Sequence, residues 1–211
     1  MESRKVGQVA EFSKPGFTGW DRIDSNEIEL VPTPLAMQPN GFVEAAFEEG
    51  SYGLTASLVV KSVHDEKQIT FWMQWSDETQ DRGEGEGFPD GAVIAFPVRG
   101  DPAIHTMGED TAPIHAIHWS ARKNQVRSVL ATGIGTSRPG PDLKPHVNAA
   151  WIDGQWTIVV THNLGASDPD SVKLVPNKTT GIGFVIWDGS KMERAGIKAY
   201  SPDWVDLNIT K

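Results

Sequence analysis

Apolar and polar residues alternate with a period of two along most of the chain, and no stretch sustains a helical period. In Gln68-Ile-Thr-Phe-Trp-Met-Gln-Trp-Ser76, one face carries Ile69, Phe71, Met73 and Trp75. The other carries Gln68, Thr70, Trp72, Gln74 and Ser76, which is the signature of a half-buried antiparallel strand. The pattern predicts that it pairs with 55–63 across a turn at Asp65-Glu66-Lys67. Further strands are predicted at 92–98, 114–120, 126–134, 147–152, 156–162, 171–175, 181–187, 197–201 and 205–209. The sharpest local signal is Trp151-Ile-Asp153-Gly154-Gln-Trp156. An Asp-Gly pair tolerates positive φ at both central positions, as a two-residue type I′ turn requires, and the register sets Trp151 across from Trp156. About ten short strands without a convincing helix predict an all-β fold, an antiparallel sandwich or barrel.

Three segments interrupt the alternation. Residues 77–90 (DETQDRGEGEGFPD) are acidic and glycine-rich and read as a long exposed loop. Residues 135–146 hold three prolines and cannot form a central strand, and 165–170 is a polar turn. None has the character of an interdomain linker, so one domain over 1–211, with 1–27 as an N-terminal arm, is the simpler organisation.

Composition narrows the chemistry. With no cysteine there is no disulfide, iron–sulfur cluster, thiol nucleophile or covalently attached c-type haem. A net charge of −9 leaves no basic surplus to displace the counterions of a nucleic acid. No window approaches 18 uncharged apolar residues, which removes a spanning helix. The start, Met1-Glu2-Ser3-Arg4-Lys5, lacks the apolar core of a signal peptide, so an exported protein would be a mature form or would travel with a partner.

Among reactive side chains, His115 and His118 stand three apart on a predicted strand and so face opposite sides, a poor arrangement for one metal. His64, His146 and His162 are isolated. Asp77, Glu78, Asp81, Glu84, Glu86 and Asp90 do not match a calcium-loop spacing, and a solvated acidic loop is the preferred reading. No nucleophile elbow or phosphate-binding glycine motif occurs in a strand–turn–helix context. Met107 lies in His105-Thr-Met-Gly-Glu-Asp110, a polar turn between two predicted strands; Met37 and Met192 are also in loops, and Met73 is a core residue. A loop thioether usually fills a gap, but it is also a soft axial ligand for haem iron. Without a thiolate, blue copper is implausible, whereas a b-type haem held by methionine and a nitrogen donor is compatible with the composition.

Several blocks, in order, resemble one family. Phe71-Trp-Met-Gln-Trp-Ser-Asp-Glu-Thr79 is similar to its aromatic strand with Trp-x-Asp-x-Thr, and Pro89-Asp-Gly-Ala-Val-Ile-Ala-Phe-Pro97 to the strand that follows. Thr106-Met-Gly108 ahead of Ile114-His-Ala-Ile-His-Trp-Ser-Ala121 resembles its Met-Gly turn and tryptophan-bearing strand. Asp153-Gly-Gln-Trp-Thr-Ile-Val-Val160 resembles its Asp-Gly-x-Trp hairpin. Phe184-Val-Ile-Trp-Asp-Gly189 with Glu193-Arg-Ala-Gly-Ile-Lys-Ala-Tyr-Ser201 resembles its C-terminal block. The family is the ethylbenzene-dehydrogenase-related haem-binding domain, which includes γ subunits of type II dimethyl-sulfoxide-reductase-family molybdoenzymes. The likeness runs from about Ile28 to Ile209.

The resemblance implies a β-sandwich holding one non-covalent haem b between its sheets at one edge, with methionine and lysine as axial ligands. It implies electron transfer without substrate chemistry, in a periplasmic complex with a molybdenum catalytic α subunit and an iron–sulfur β subunit, and with a soluble cytochrome c as a partner. Met107 matches the family's methionine, and His105 and Gly108 become pocket candidates. Ser76 and Ser120 stand where relatives often carry lysine and supply no ligand. Lys198, in Gly-x-Lys-x-x-Ser, ranks first for the second ligand, Lys144 second, with Lys123 and Lys178 also at strand ends. A ligating lysine must be deprotonated, which requires a desolvated site. The alternative from another class is a carbohydrate- or ligand-binding sandwich, for which eight tryptophans offer stacking surfaces.

Overall fold

The structure is a computed structural model and describes residues 1–85 and 87–211; Glu86 lies outside the described residues. In chain order the strands are β1 (Glu2–Lys5), β2 (Asn26–Glu29), β3 (Val31–Pro32), β4 (Ser57–His64), β5 (Gln68–Ser76), β6 (Gly91–Pro97) and β7 (Ile114–Ser120). They continue as β8 (Gln125–Ala131), β9 (Ser137–Pro139), β10 (His146–Ile152), β11 (Gln155–Asn163), β12 (Thr179–Trp187), β13 (Ala199–Tyr200) and β14 (Val205–Ile209). Among the described residues one short α-helix, α1 (Gly41–Ala46), starts where Asn40 Oδ1 accepts the Phe42 amide.

One half of the sandwich runs β10-β11-β5-β4, with β2 on the outer edge of β4. The other runs β14-β12-β6-β7-β8-β9, and β13 shares the β14 side of β12. β1 stitches the halves together: Glu2 and Ser3 pair in parallel with β14, while Arg4 and Lys5 pair with β4. Between the sheets the predicted face of β5 (Ile69, Phe71, Met73 and Trp75) packs with Ile94, Phe96, Trp119, Trp156 and Phe184. The Trp119 ring meets Trp156 edge-on at 4.9 Å and Trp75 at 6.0 Å. That interior is filled.

The hairpin forms as the Asp-Gly signal predicts. Asp153 and Gly154 take φ of 49° and 77°, and Trp151 pairs with Trp156. Elsewhere the structure departs from the sequence pattern. Residues 171–175 make only the isolated bridge Gly165↔Lys173, and the strand predicted at 197–201 shortens to β13. The proline-rich run contributes β9, a three-residue edge strand, where a missing amide is tolerated. Residues 1–27 are more than an appended arm. Besides β1, they place Val9, Phe12, Trp20 and Ile23 over the outer face of β4 and β5, against Val63 and Trp72. The Trp72 indole donates to Pro15 O at 3.0 Å.

Candidate cofactor site

The β6–β7–β8–β12 sheet is apolar on both faces. Its second face bears Val93 and Ala95 from β6, Ile114 and Ala116 from β7, Ala131 from β8 and Val185 from β12, with Tyr200 from β13. Period two selects this set: the register aligns Val93 with both His118 and Val185, and Ala95 with Ala116. Three of them, Val93, Ala116 and Ala131, are small and border open space. They leave a cleft of about 320 Å³, with Gly91, Val93, Ala116, Val129 and Trp187 in its wall. Met107 and residues 133–135 close one side, and Glu193, Arg194 and Ala195 close another. Between the sheets the interior is occupied by interlocked tryptophans and phenylalanines, whereas this cleft stands on the outer face.

Met107 reaches the cleft from a tight turn. Its φ is 61°; its amide donates to Ile104 O at 3.0 Å, and its carbonyl accepts from Gly133 at 3.1 Å. Its side chain packs against the small-residue face. Gly108 follows with φ 81°, and a Cβ there would sit 2.8 Å from Ala112 O and 3.2 Å from Ala131 O. Its lack of a side chain thus serves backbone packing behind the turn, and it is absent from the cleft wall. His105 lies 6.0 Å from the Tyr200 ring and is also outside the wall.

Of the four lysines considered, one is buried. Lys198 is 0 % exposed, and its Nζ has no hydrogen-bond partner. It precedes β13 by one residue, so the β12–β13 register that pairs Val185 with Tyr200 brings it beside Trp187, whose ring centre is 5.9 Å from Nζ. Its backbone is fixed as well, since Lys198 O accepts the Thr33 amide at 3.0 Å. Burial alone holds its pKa down, to about 7. An unpartnered ammonium at this depth is costly, whereas a neutral amine presents a lone pair. Lys144 is the opposite case: it is exposed, beside a different groove, and its ammonium pairs with Asp142. Lys123 and Lys178 are also exposed.

The rest of the wall carries charge. Burial raises Glu193 to about 7, although its Oε1 accepts from Gly53 at 2.6 Å and its Oε2 from Asp188 at 2.9 Å. Burial, and then Arg127, lower His118 to about 4, with Arg127 Nε donating to its Nδ1 at 3.3 Å. His115 faces the other way, where its Nδ1 accepts the Val172 amide at 3.0 Å. The two histidines do not share a site, as their spacing predicts. Arg194 lies over the Phe88 ring at 4.5 Å.

A haem b fits this chemistry on two counts. The cleft wall is mostly apolar with a thioether exposed to it, and a buried amine nearby has no partner within the protein.

Comparison with known proteins agrees on the class. The chain matches the family described as ethylbenzene dehydrogenase over residues 18–144 and 140–199, and it belongs to that family. It is 29% identical, over 85% of its length, to a protein of Haloferax mediterranei named as a respiratory nitrate reductase heme subunit, ORF7. It is 30% identical over 74% of its length to the chlorate reductase subunit gamma of Ideonella dechloratans. It spans 63% and 66% of those two proteins. Among solved structures, a family 9 carbohydrate-binding module from Caldicellulosiruptor kristjanssonii, in complex with glucose, superimposes with a TM-score of 0.58 over 100% of this chain and 95% of its own. At 9% identity that likeness establishes the sandwich fold and nothing about sugars. Among the described residues, no helix is long and apolar enough to cross a membrane.

Proposed function

We propose that the chain is a haem b electron-transfer subunit of a periplasmic molybdenum oxidoreductase, in which Met107 and Lys198 would hold the haem iron. The observation that carries this reading is the buried, unpartnered Nζ of Lys198, itself outside the cleft wall but 5.9 Å from the ring centre of Trp187, which lines the cleft together with Met107. Bound there, haem iron supplies one-electron redox chemistry and no substrate turnover. The chain's own residues do the rest. Trp187, Val93 and Val129 exclude water, and the sheet register fixes Lys198 against β12. Arg127 and Arg194 offer guanidinium charge to the anionic edge of a haem. The relatives' names, a heme subunit of a nitrate reductase and a subunit gamma of a chlorate reductase, support membership of a multi-subunit oxidoreductase. In this reading the partners are a molybdenum catalytic subunit, an iron–sulfur subunit and, as the outer electron partner, a soluble cytochrome c.

The test is the visible spectrum of the purified chain reconstituted with haem. A low-spin, six-coordinate spectrum with sharp reduced α and β bands is expected, and acid–acetone should carry all the haem into the organic phase. A chain that stays colourless, or haem retained on the polypeptide, overturns the reading.

A further inference from the structure

Among its described residues the acidic segment 77–90 is exposed or half-exposed along its middle, as its composition suggests, but not at its ends. Its two ends are buried: Asp77, directly after β5, and Asp90, directly before β6, are 6 % and 0 % exposed. They meet Asp188, the residue after β12, because Gly91 and Trp187 are paired in the sheet. One carboxylate oxygen from each of Asp77, Asp90 and Asp188 lies within 4.8 Å of the others.

The donors around this group are few and asymmetric. Asp90 is well supplied, with Oδ1 accepting from Gly189 at 2.9 Å and Oδ2 accepting from Asp81 at 2.7 Å and Trp156 Nε1 at 2.9 Å. Asp188 Oδ1 accepts from the Ser190 amide and hydroxyl at 2.9 and 2.6 Å. Asp77 Oδ1 has only the Thr79 amide, at 3.2 Å, and its Oδ2 is buried with no donor. Among the described residues, no lysine, arginine or histidine forms an ion pair with any of the three. Three carboxylates thus converge without a cation, and one oxygen is left with nothing to bind. Burial and mutual repulsion push Asp77 up to about 7, and burial raises Asp90 to about 6, as expected of acids brought together without a counter-charge.

We infer that Asp77, Asp90 and Asp188 form a site for one hard divalent cation, calcium by preference. The donors are all oxygen, and their mutual separations, none above 4.8 Å, are short enough for one ion to reach all three, since two calcium–oxygen bonds span up to roughly 4.6–5.2 Å across the ion. A cation there answers the orphaned Asp77 oxygen and balances the charge of the group. It also ties the ends of β5 and β12 to the start of β6, whose Phe88–Gly91 approach lines the cleft. The site requires no haem, so it stands or falls independently of the proposed function.

The test uses the purified full chain with terbium(III), then calcium, as probes. Trp156 touches Asp90, and Trp151 donates to Asp77 O at 2.9 Å, so terbium bound at the site should show tryptophan-sensitised emission. Calcium should displace that emission and raise the thermal midpoint. In Asp188→Asn, at a half-exposed position that leaves the core intact, affinity should fall at least tenfold. Asp77→Asn should fall as far, and Glu66→Gln, at a distant exposed site, should match the parent. If the Asp77 variant does not fold, Asp188→Asn with a native circular dichroism spectrum decides. Absent emission in the parent, or emission undiminished in Asp188→Asn, overturns the site.

Discussion

Lys198 Nζ lies 5.9 Å from the ring centre of Trp187, without a hydrogen-bond partner and with no exposed surface. A lysine that only stabilised the fold would not be placed this way, because a buried ammonium without a partner opposes folding. Its pKa of about 7, against an ordinary value near 10.4, sets the sign of its linkage. The unfolded chain holds this proton more tightly than the folded chain. The stability associated with neutral Lys198 is therefore complete above about pH 10.4 and is lost as pH falls toward 7.

Lys198→Met is accordingly expected to stabilise the haem-free chain at pH 7, by an amount of order 4 kcal/mol, and to flatten its stability between pH 7 and 10. The same variant should lose the low-spin haem spectrum. Chemical denaturation of both proteins at several pH values checks the first expectation. A variant less stable than its parent at pH 7 would mean that Lys198 contributes a contact that outweighs its burial.

A second prediction concerns the turn that carries Met107. Gly108→Ala combines a positive φ of 81° with a Cβ placed 2.8 Å from Ala112 O. The backbone conformation alone costs about 1–2 kcal/mol for a residue with a Cβ, and the clash with rigid backbone adds to it. Gly135→Ala, at φ 77° with nothing within 4 Å, should show the conformational cost alone. Equal thermal midpoints for the two variants would show that the turn yields to the clash.

A third prediction concerns acid. His162 is 0 % exposed, stacks on Phe71 at 5.9 Å, and leaves Nε2 without a partner. Burial lowers its pKa to about 4. The unfolded chain binds the proton first, so the stability owed to neutral His162 is present above about pH 6.5 and lost as pH falls to 4. His162→Phe should remove about 3 kcal/mol of that acid sensitivity. His118 is present in both proteins and cancels in the difference, whereas His115, which adds to the lowering of His162, is part of the effect. A stability difference between parent and variant that stays constant from pH 7 to 4 would count against the assignment.

The sandwich was legible because its strands obey period two: β5, β7 and β14 begin and end where the alternation does. The first 29 residues were not, because β1 is a four-residue strand shared between two sheets and Val9, Phe12, Trp20 and Ile23 follow no single period. Met107 and Lys198 could be singled out only by resemblance, since depth of burial has no local signature. The cleft did leave a trace. Gly91–Phe96 is apolar without alternation, which marks a strand covered on both faces, and β6 is buried over six consecutive positions. The acidic cluster was misread because burial of Asp77 and Asp90 depends on β5, β6 and β12 converging, which a glycine-rich composition does not reveal.

The last prediction separates Met107 from the other loop methionines. Met37 and Met192 are 46 % and 42 % exposed, and neither contributes to the cleft wall. Met107 is half-buried, held by the Ile104 and Gly133 hydrogen bonds, and faces the cleft. Thioether sulfur is a weak donor that favours ferrous iron, so its loss should both open a coordination position and lower the potential. In haem-reconstituted protein, Met107→Ala is expected to give a high-spin, five-coordinate spectrum that binds carbon monoxide. Met107→His should restore a low-spin spectrum at a lower potential. Met37→Ala and Met192→Ala should match the parent in both readouts. Met107 is also the most buried of the three, so the rescue of a low-spin spectrum by Met107→His, which a loss of packing would not produce, is what separates ligation from packing. If Met107→Ala keeps the parent's low-spin spectrum, the sulfur does not bind the iron, and the axial pair must be built on Lys198 with some other donor.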